Sequence, residues 1–158
     1  KERMEHAMLV DLGKGDLAPI CREGSIEMTE SMAVEKYSHV AHLVSRLQGQ
    51  LRPGVGPVDV LRSTFPAGTV SGVPKKRAME LIGDLEPVNR GPYGGIVGYM
   101  DFAGNMDTCI TIRTIICHGG RAYIQAGAGI VALSQPEKEY LEIENKLAAL
   151  IQALGYGE

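Results

Sequence analysis

The sequence predicts an α+β fold, an antiparallel β-sheet covered by helices. Two observations carry this. Residues 96–102 and 107–117 are strand-like runs joined by Ala103-Gly104-Asn105, a hairpin signal. Helical periodicity is placed around the strands rather than alternating with them: Met4, Met8, Leu9 and Leu12 recur at helical spacing near the start, and Tyr140, Leu141, Ile143, Leu147, Leu150 and Ile151 do so near the end.

Taken in order, residues 1–12 read as the end of a helix that Gly13 and Gly15 stop. Residues 16–38 are mixed, with turns at Pro19 and Gly24. Residues 40–51 alternate well enough for a strand, with a helix left open as the alternative. Pro53-Gly54-Val55-Gly56-Pro57 is a loop, residues 58–65 a short helix, and residues 66–72 a glycine-bearing loop. Pro74 opens a helix over residues 75–85, because its fixed φ suits a first turn and its missing N–H costs nothing there. Arg90-Gly91-Pro92-Tyr93-Gly94-Gly95 is a turn ahead of three strands. In the second strand Ile110 and Ile112 fall on one face and Thr111 and Arg113 on the other, the pattern of a half-buried sheet. Gly119-Gly120 turns the chain into residues 122–126, and a last helix runs from near Pro136 to about Leu154, with Gly155 after it.

At 158 residues, 44% hydrophobic and 22% charged, the chain suits one soluble globular domain. A net charge of −3 argues against nucleic acid as the main partner, and the absence of Trp with only two Phe leaves little to stack bases on. Cys21, Cys109 and Cys117 are odd in number and lack zinc spacing, so reduced thiols and a cytoplasmic location are expected. No apolar run reaches the length of a membrane span, so no membrane partner is expected, and no signal peptide is visible. The chain lacks an initiator Met and opens inside a helical pattern, so it is expected to be a piece of something longer. The 20 glycines cluster at 91–105 and 119–129, which points to tight turns and close backbone approach to a ligand.

Four carboxylates are the most informative chemical feature. Glu2 and Glu5 share one helix face, and Glu139 and Glu142 share another. If the two helices face each other, the charges persist together only around a cation, and all-oxygen ligation suits Mg²⁺. The same spacing also fits two solvated helix faces. Arg113 is read as mid-strand, where its planar fork either clamps a carboxylate or lies exposed. Gly127, Ala128 and Gly129 lie in a run of small residues able to offer backbone N–H groups to an anion, or else form a turn or bulge. With Ala132 they fit G-x-G-x-x-A, but Pro136 delays the helix that a dinucleotide site needs. The 68–75 segment, Gly-Thr-Val-Ser-Gly-Val-Pro-Lys, is not a phosphate loop of the Walker type; its hydroxyls end at a helix N-terminus, where they are suited to cover an anionic ligand. His42 is either a donor to a leaving hydroxyl or a satisfied core histidine.

Six blocks together carry a resemblance: Glu2-Arg-Met-Glu-His-Ala-Met-Leu-Val-Asp-Leu12, Tyr37-Ser-His-Val-Ala-His-Leu-Val-Ser45, the segment from Phe65-Pro-Ala-Gly-Thr-Val-Ser-Gly72 to Glu80, Arg90-Gly-Pro-Tyr-Gly-Gly-Ile-Val-Gly-Tyr99, Gly104-Asn-Met-Asp-Thr-Cys-Ile-Thr-Ile-Arg-Thr114 and Gln125-Ala-Gly-Ala-Gly-Ile-Val131. The chain resembles the C-terminal part of the catalytic domain of the anthranilate synthase component I family, within the chorismate-utilising enzymes. The resemblance covers nearly the whole chain. It implies that residues 1–158 are part of a chorismate-binding α/β sandwich whose N-terminal half is absent. The family usually has Arg-Asn-Asp where this chain has Lys14-Gly15-Asp16, and Pro19 also departs from the family pattern. Both departures lie outside the matched ligands.

The resemblance also implies roles. Glu5 and Glu142 match Mg²⁺ ligands, with Glu2 and Glu139 as their companions around the metal. Tyr93 and Arg113 match the groups that hold the enolpyruvyl carboxylate of chorismate, helped by backbone N–H near Gly129. Lys146 matches a lysine near the metal-bound carboxylate. His42 and Thr69 match residues lining the ring, His42 close to the departing C4 hydroxyl. The implied reaction adds ammonia at C2 as the C4 hydroxyl leaves, then eliminates pyruvate to give anthranilate. Ammonia comes from glutamine through a separate amidotransferase subunit. Two readings stand beside it: an aminodeoxychorismate or isochorismate synthase, and a non-catalytic folded fragment that binds or assembles only. Half a sheet leaves an open edge, which the missing N-terminal half or a homo-oligomer would cover.

Overall fold

The computed structural model of the protein describes residues 2–36 and 41–155, and the side chains of Glu2, Lys36, Ala41 and His42 are outside what it describes. The chain divides into two compact units, one holding the residues up to Gly68 together with Met100–Met106, the other holding Thr69–Tyr99 and the residues from Asp107 on.

In the first unit, α1 spans Glu2–Leu17, β1 Glu27–Lys36, β2 Ala41–Gln48 and α2 Pro57–Thr64. Gly13 and Gly15 do not stop α1, contrary to the sequence expectation. The helix packs on β2, and a Cβ at Gly13 would lie 2.9 Å from Leu47 Cδ1, so glycine serves close approach there rather than termination. Of the stretch read as strand or helix over 40–51, Ala41–Gln48 is the strand. It pairs antiparallel with β1, with Ala33 opposite Val44 and Glu35 opposite His42, and with register shifts between Met28 and Ala33. Met32, at φ 50°, sits in that irregular stretch, and its N–H donates to Ser45 Oγ at 2.9 Å. Ser45 Oγ also lies 2.6 Å from His6 Nε2, tying α1 to the hairpin. The buried centre of this unit is Ile20 and Cys21. The carbonyl of Ile20 accepts from Arg52 N at 2.9 Å, and Cys21 forms a bridge with Leu51. α2 begins at Pro57, which the sequence reading places in the preceding loop, and Asp59 Oδ2 accepts the Gly56 N–H at 3.0 Å.

The second unit carries α4 (Lys75–Leu85), β3 (Ile96–Met100), β4 (Met106–Ile110), β5 (Ile116–His118), β6 (Arg121–Tyr123) and α5 (Pro136–Ala153), with the tip between β3 and β4 grouped in the first unit. The expected glycine-bearing loop at 66–72 contains a single helical turn, α3 (Gly68–Ser71). Among the described residues the strands form three two-stranded sheets, β1-β2, β3-β4 and β5-β6, rather than one continuous sheet. The class is α+β, as the sequence predicts.

The strand expected over 107–117 is broken. Ile112 N donates to Ile110 O at 2.9 Å, a tight turn that ends β4, and Arg113 follows at φ 52°. Arg113 is therefore not mid-strand. The expected alternation of faces is lost as well: Thr111 is buried, while Ile112 and Arg113 are both exposed. Thr111 is drawn inward because its backbone joins the 90–95 turn, through Gly94 N to Thr111 O and Thr111 N to Gly95 O, both at 2.9 Å. Every residue of β3 is exposed, including Val97 at 56% and Tyr99 at 64%. Apolar surface of this extent marks a face built to meet another surface. In α5 the buried residues are Glu139 and Leu150. No helix among the described residues is long and apolar enough to cross a membrane.

Candidate functional site

Several of the expected site residues lie in the second unit. The first component is the 90–95 turn. Tyr93 N donates to Arg90 O and Gly95 N to Pro92 O, each at 3.0 Å. Gly94 takes φ 72°, a left-handed conformation that glycine adopts without a Cβ penalty. The turn leaves Tyr93 partly buried with its hydroxyl against Gly127, where an added Cβ would lie 3.2 Å from Tyr93 Oη. Burial pushes the Tyr93 phenol above its ordinary value; Arg90 pulls it down, Glu86 adds to the rise, and Arg113 pulls it down further. The phenol is thus a neutral donor near pH 7.

The second component is residues 124–130, which join neither a strand nor a helix. This removes the dinucleotide pattern, which requires an immediate helix. The backbone here is tied by side chains instead. Lys146 Nζ donates to Gly127 O at 2.9 Å and also to Glu142 Oε1, one turn back on α5. Ser134 Oγ accepts the Val131 N–H at 3.0 Å and closes the segment toward α5. Tyr93, Gly127, Lys146 and Glu142 are therefore one connected series, and Glu139, at 5% exposure, sits one turn before Glu142 on the same helix.

The third component is Arg113. It is exposed, and among the described residues it forms no ion pair. Its effect on Tyr93 places its charge near that phenol. Thr69 is exposed on α3. Ala128 and Gly129 lie in the irregular segment beside Gly127, and an added Cβ on Gly129 would meet nothing within 4 Å.

The remaining predicted residues fall elsewhere. Glu5 lies on α1, in the first unit, and Glu139 and Glu142 lie on α5, in the second. His42 is in β2, and Glu2 opens α1; both side chains lie outside those described. Tyr37, Ser38, His39 and Val40 of the second matching block also lie outside the described residues. Among the described residues no group of three or more His, Cys, Asp or Glu forms a metal-binding cluster. Glu139 and Glu142 alone supply two hard oxygen donors, the chemistry Mg²⁺ selects.

Sequence reasoning missed Arg90 and Glu86. Arg90 Nε lies 3.1 and 2.9 Å from the two carboxylate oxygens of Glu86. The four-residue spacing was visible, but α4 ends at Leu85, so helical neighbour rules did not reach the pair. Side-chain hydrogen bonds from Arg90 hold the Glu86 carboxyl below its ordinary value of 4.5; burial opposes this and the Arg90 charge reinforces it. A depressed carboxylate adds stability that is fully present above its unfolded value and is lost as pH falls through the folded one. Acid unfolding followed by circular dichroism is therefore expected to show a loss of stability below about pH 4.5 that is shallower in Glu86→Gln. Identical acid limbs would contradict the linkage.

The chain is similar to proteins of known name and structure. The chain is 55% identical over 154 residues to anthranilate synthase component 1 of Acetivibrio thermocellus, covering 98% of this chain and 31% of that protein. It is 54% identical to the protein of the same name from Arthrobacter globiformis, covering 98% of this chain and 29% of that one. The structure of anthranilate synthase component I from Streptococcus pneumoniae matches with a TM-score of 0.87 and 49% identity, over 90% of this chain and 33% of that chain. The menaquinone-specific isochorismate synthase from Escherichia coli matches with a TM-score of 0.80 and 27% identity, over 95% of this chain and 34% of that chain. The chain spans about a third of the length of these relatives. The model of the family described as chorismate binding enzyme matches residues 1–152, and the chain belongs to that family.

Proposed function

We propose that the protein containing this chain converts chorismate and ammonia to anthranilate and pyruvate in tryptophan biosynthesis, in the cytoplasm, with Mg²⁺ bound and a glutamine amidotransferase subunit as the ammonia source. The observation that carries the reading is the connected series Tyr93, Gly127, Lys146 and Glu142 beside the buried Glu139. It sets a neutral phenol donor and a cation close to two carboxylates. Names and identities of the relatives support the anthranilate assignment over isochorismate synthesis, since identity is 49% to the one solved enzyme and 27% to the other.

In this reading Tyr93 and Arg113 donate to the enolpyruvyl carboxylate, with backbone N–H near Gly129 completing the cradle. Lys146 fixes both Glu142 and the Gly127 carbonyl, so the carboxylate and the glycine backbone move as one. Thr69 and His42 line the ring, with His42 as the proton donor to the departing hydroxyl. Glu5 and Glu142, with Glu2 and Glu139, are the residues that would hold Mg²⁺, which when bound would supply positive charge to neutralise the ring carboxylate. Residues 1–158 are the C-terminal portion of the catalytic domain, and the exposed faces of β3 receive the rest of the parent fold.

Calorimetric titration of chorismate, with and without Mg²⁺, tests the reading. Binding is expected to require Mg²⁺ and to weaken at least about tenfold in Glu142→Gln, roughly the worth of one charge-assisted contact. Product analysis with ammonium and chorismate then separates anthranilate from isochorismate. Absence of binding in every condition would overturn the assignment of substrate recognition to these residues.

A further inference from the structure

We infer that Arg90, locked by Glu86, is a positioning residue that holds the Tyr93 phenol and the Thr69 turn in one fixed relation. Three faces of a single guanidinium are engaged. Nε and Nη2 grip the Glu86 carboxylate, Nε at 2.9 Å from Oε2 and Nη2 at 2.5 Å from Oε1. Nη1 donates to the Val70 carbonyl at 2.6 Å, and Val70 is the residue after Thr69 on α3. Arg90 Cζ lies 5.5 Å from the centroid of the Tyr93 ring, within cation–π range.

The side chains are 24% exposed for Arg90 and 31% for Glu86, so the pair is mostly shielded from water and less able to exchange partners. Val70 is also packed against the 90–95 turn, since a Cβ added to Gly94 would meet Val70 Cγ2 at 3.4 Å and Arg90 Nη1 at 3.7 Å. Arg90 touches none of the groups assigned to the ligand except the Tyr93 ring, so it acts through Tyr93 and Val70. A planar fork does this and an ammonium does not: lysine brings one point charge and cannot grip a carboxylate along one edge, a carbonyl along the other and an aromatic face at once. Removing the fork releases Tyr93 from its place against Gly127 and α3 from its place beside the turn. The consequence for ligand binding rests on the chorismate reading; the clamp itself does not.

The experiment introduces 3-fluorotyrosine at position 93 and, as a reference, at position 123, and compares fluorine NMR spectra of the unmodified protein, Arg90→Lys and Glu86→Gln. Chorismate titrations on the same proteins follow. The expected result is a shifted and broadened Tyr93 signal in Arg90→Lys, a smaller change of the same kind in Glu86→Gln, and an unchanged Tyr123 signal. Chorismate affinity is expected to fall about tenfold in Arg90→Lys. Glu86→Gln keeps a carbonyl acceptor and the arginine, so it serves as the second variant should Arg90→Lys fail to fold, and an unmoved Tyr93 signal in folded Glu86→Gln or Arg90→Lys overturns the clamp. If the unmodified protein fails to bind chorismate, the substrate reading falls while the fluorine spectra still decide the clamp. A moved Tyr93 signal with unaltered chorismate affinity removes the functional half of the inference.

Discussion

Replacing Gly98 by alanine is expected to unpair the β3–β4 hairpin. An added Cβ would overlap the carbonyl oxygen of Asp107 on the facing strand and lie 2.7 Å from Thr108 Cα and 2.8 Å from Thr108 Cγ2. The first two are backbone atoms, which yield only if the ladder yields. Overpacking against adjustable side chains costs about 1–3 kcal/mol, and a fixed backbone leaves less room to relax. A two-stranded hairpin is marginal by itself, so a cost of that order is enough to open it. The tip does not compensate: Asp101 Oδ1 accepts from Ala103 N at 2.9 Å and Asn105 N at 2.8 Å, which closes the turn but not the strands. Amide hydrogen exchange is expected to show protection across β3 and β4 in the unmodified protein and its loss in Gly98→Ala. Gly129→Ala is the control, since nothing lies within 4 Å of its added Cβ, and its exchange pattern is expected to match the unmodified protein. Retained protection in Gly98→Ala would contradict the close approach of the two strands.

Arg113→Gly is expected to separate stability from ligand binding. Arg113 occupies φ 52°, where an L-residue with a Cβ is strained by roughly 1–2 kcal/mol. Glycine relieves this but adds unfolded-state freedom worth about 0.5–1 kcal/mol. The two terms nearly cancel, so the melting free energy is expected to stay within about 1 kcal/mol of the unmodified protein. Binding behaves differently. A guanidinium that clamps a carboxylate contributes a charge-assisted, two-point contact, and its loss costs about 1.5–3 kcal/mol, roughly ten- to a hundredfold in affinity. Under the chorismate reading, thermal unfolding and calorimetry on Arg113→Gly are therefore expected to disagree: a near-normal melt with binding weakened. A strongly destabilised variant would mean that Arg113 holds the fold, and undiminished binding would remove it from the carboxylate clamp. A strained backbone under an unpaired arginine is the kind of outlier from which function is inferred.

Local and short-range features were legible in the sequence. Pro74 and Pro136 mark the starts of helices because proline suits a first turn. Ala103-Gly104-Asn105 marks a hairpin, and the six matching blocks mark the family. Contacts between distant residues were not legible. Gly13 reads as a helix stop from sequence, yet the approach of Leu47, 34 positions away, makes it a packing site inside α1. Arg113 reads as a strand residue from alternation, yet the hydrogen bond from Ile112 N to Ile110 O ends the strand just before it. Arg90 carries no signal beyond its motif, because its three partners come from the end of α4, from α3 and from its own turn. The chemistry available is written in the residues, since carboxylates, a phenol, a lysine and small glycines stand at recognisable spacings. Which of them meet follows from the fold, because a clamp or a close approach depends on distances set by packing, and packing is a property of all the neighbours at once.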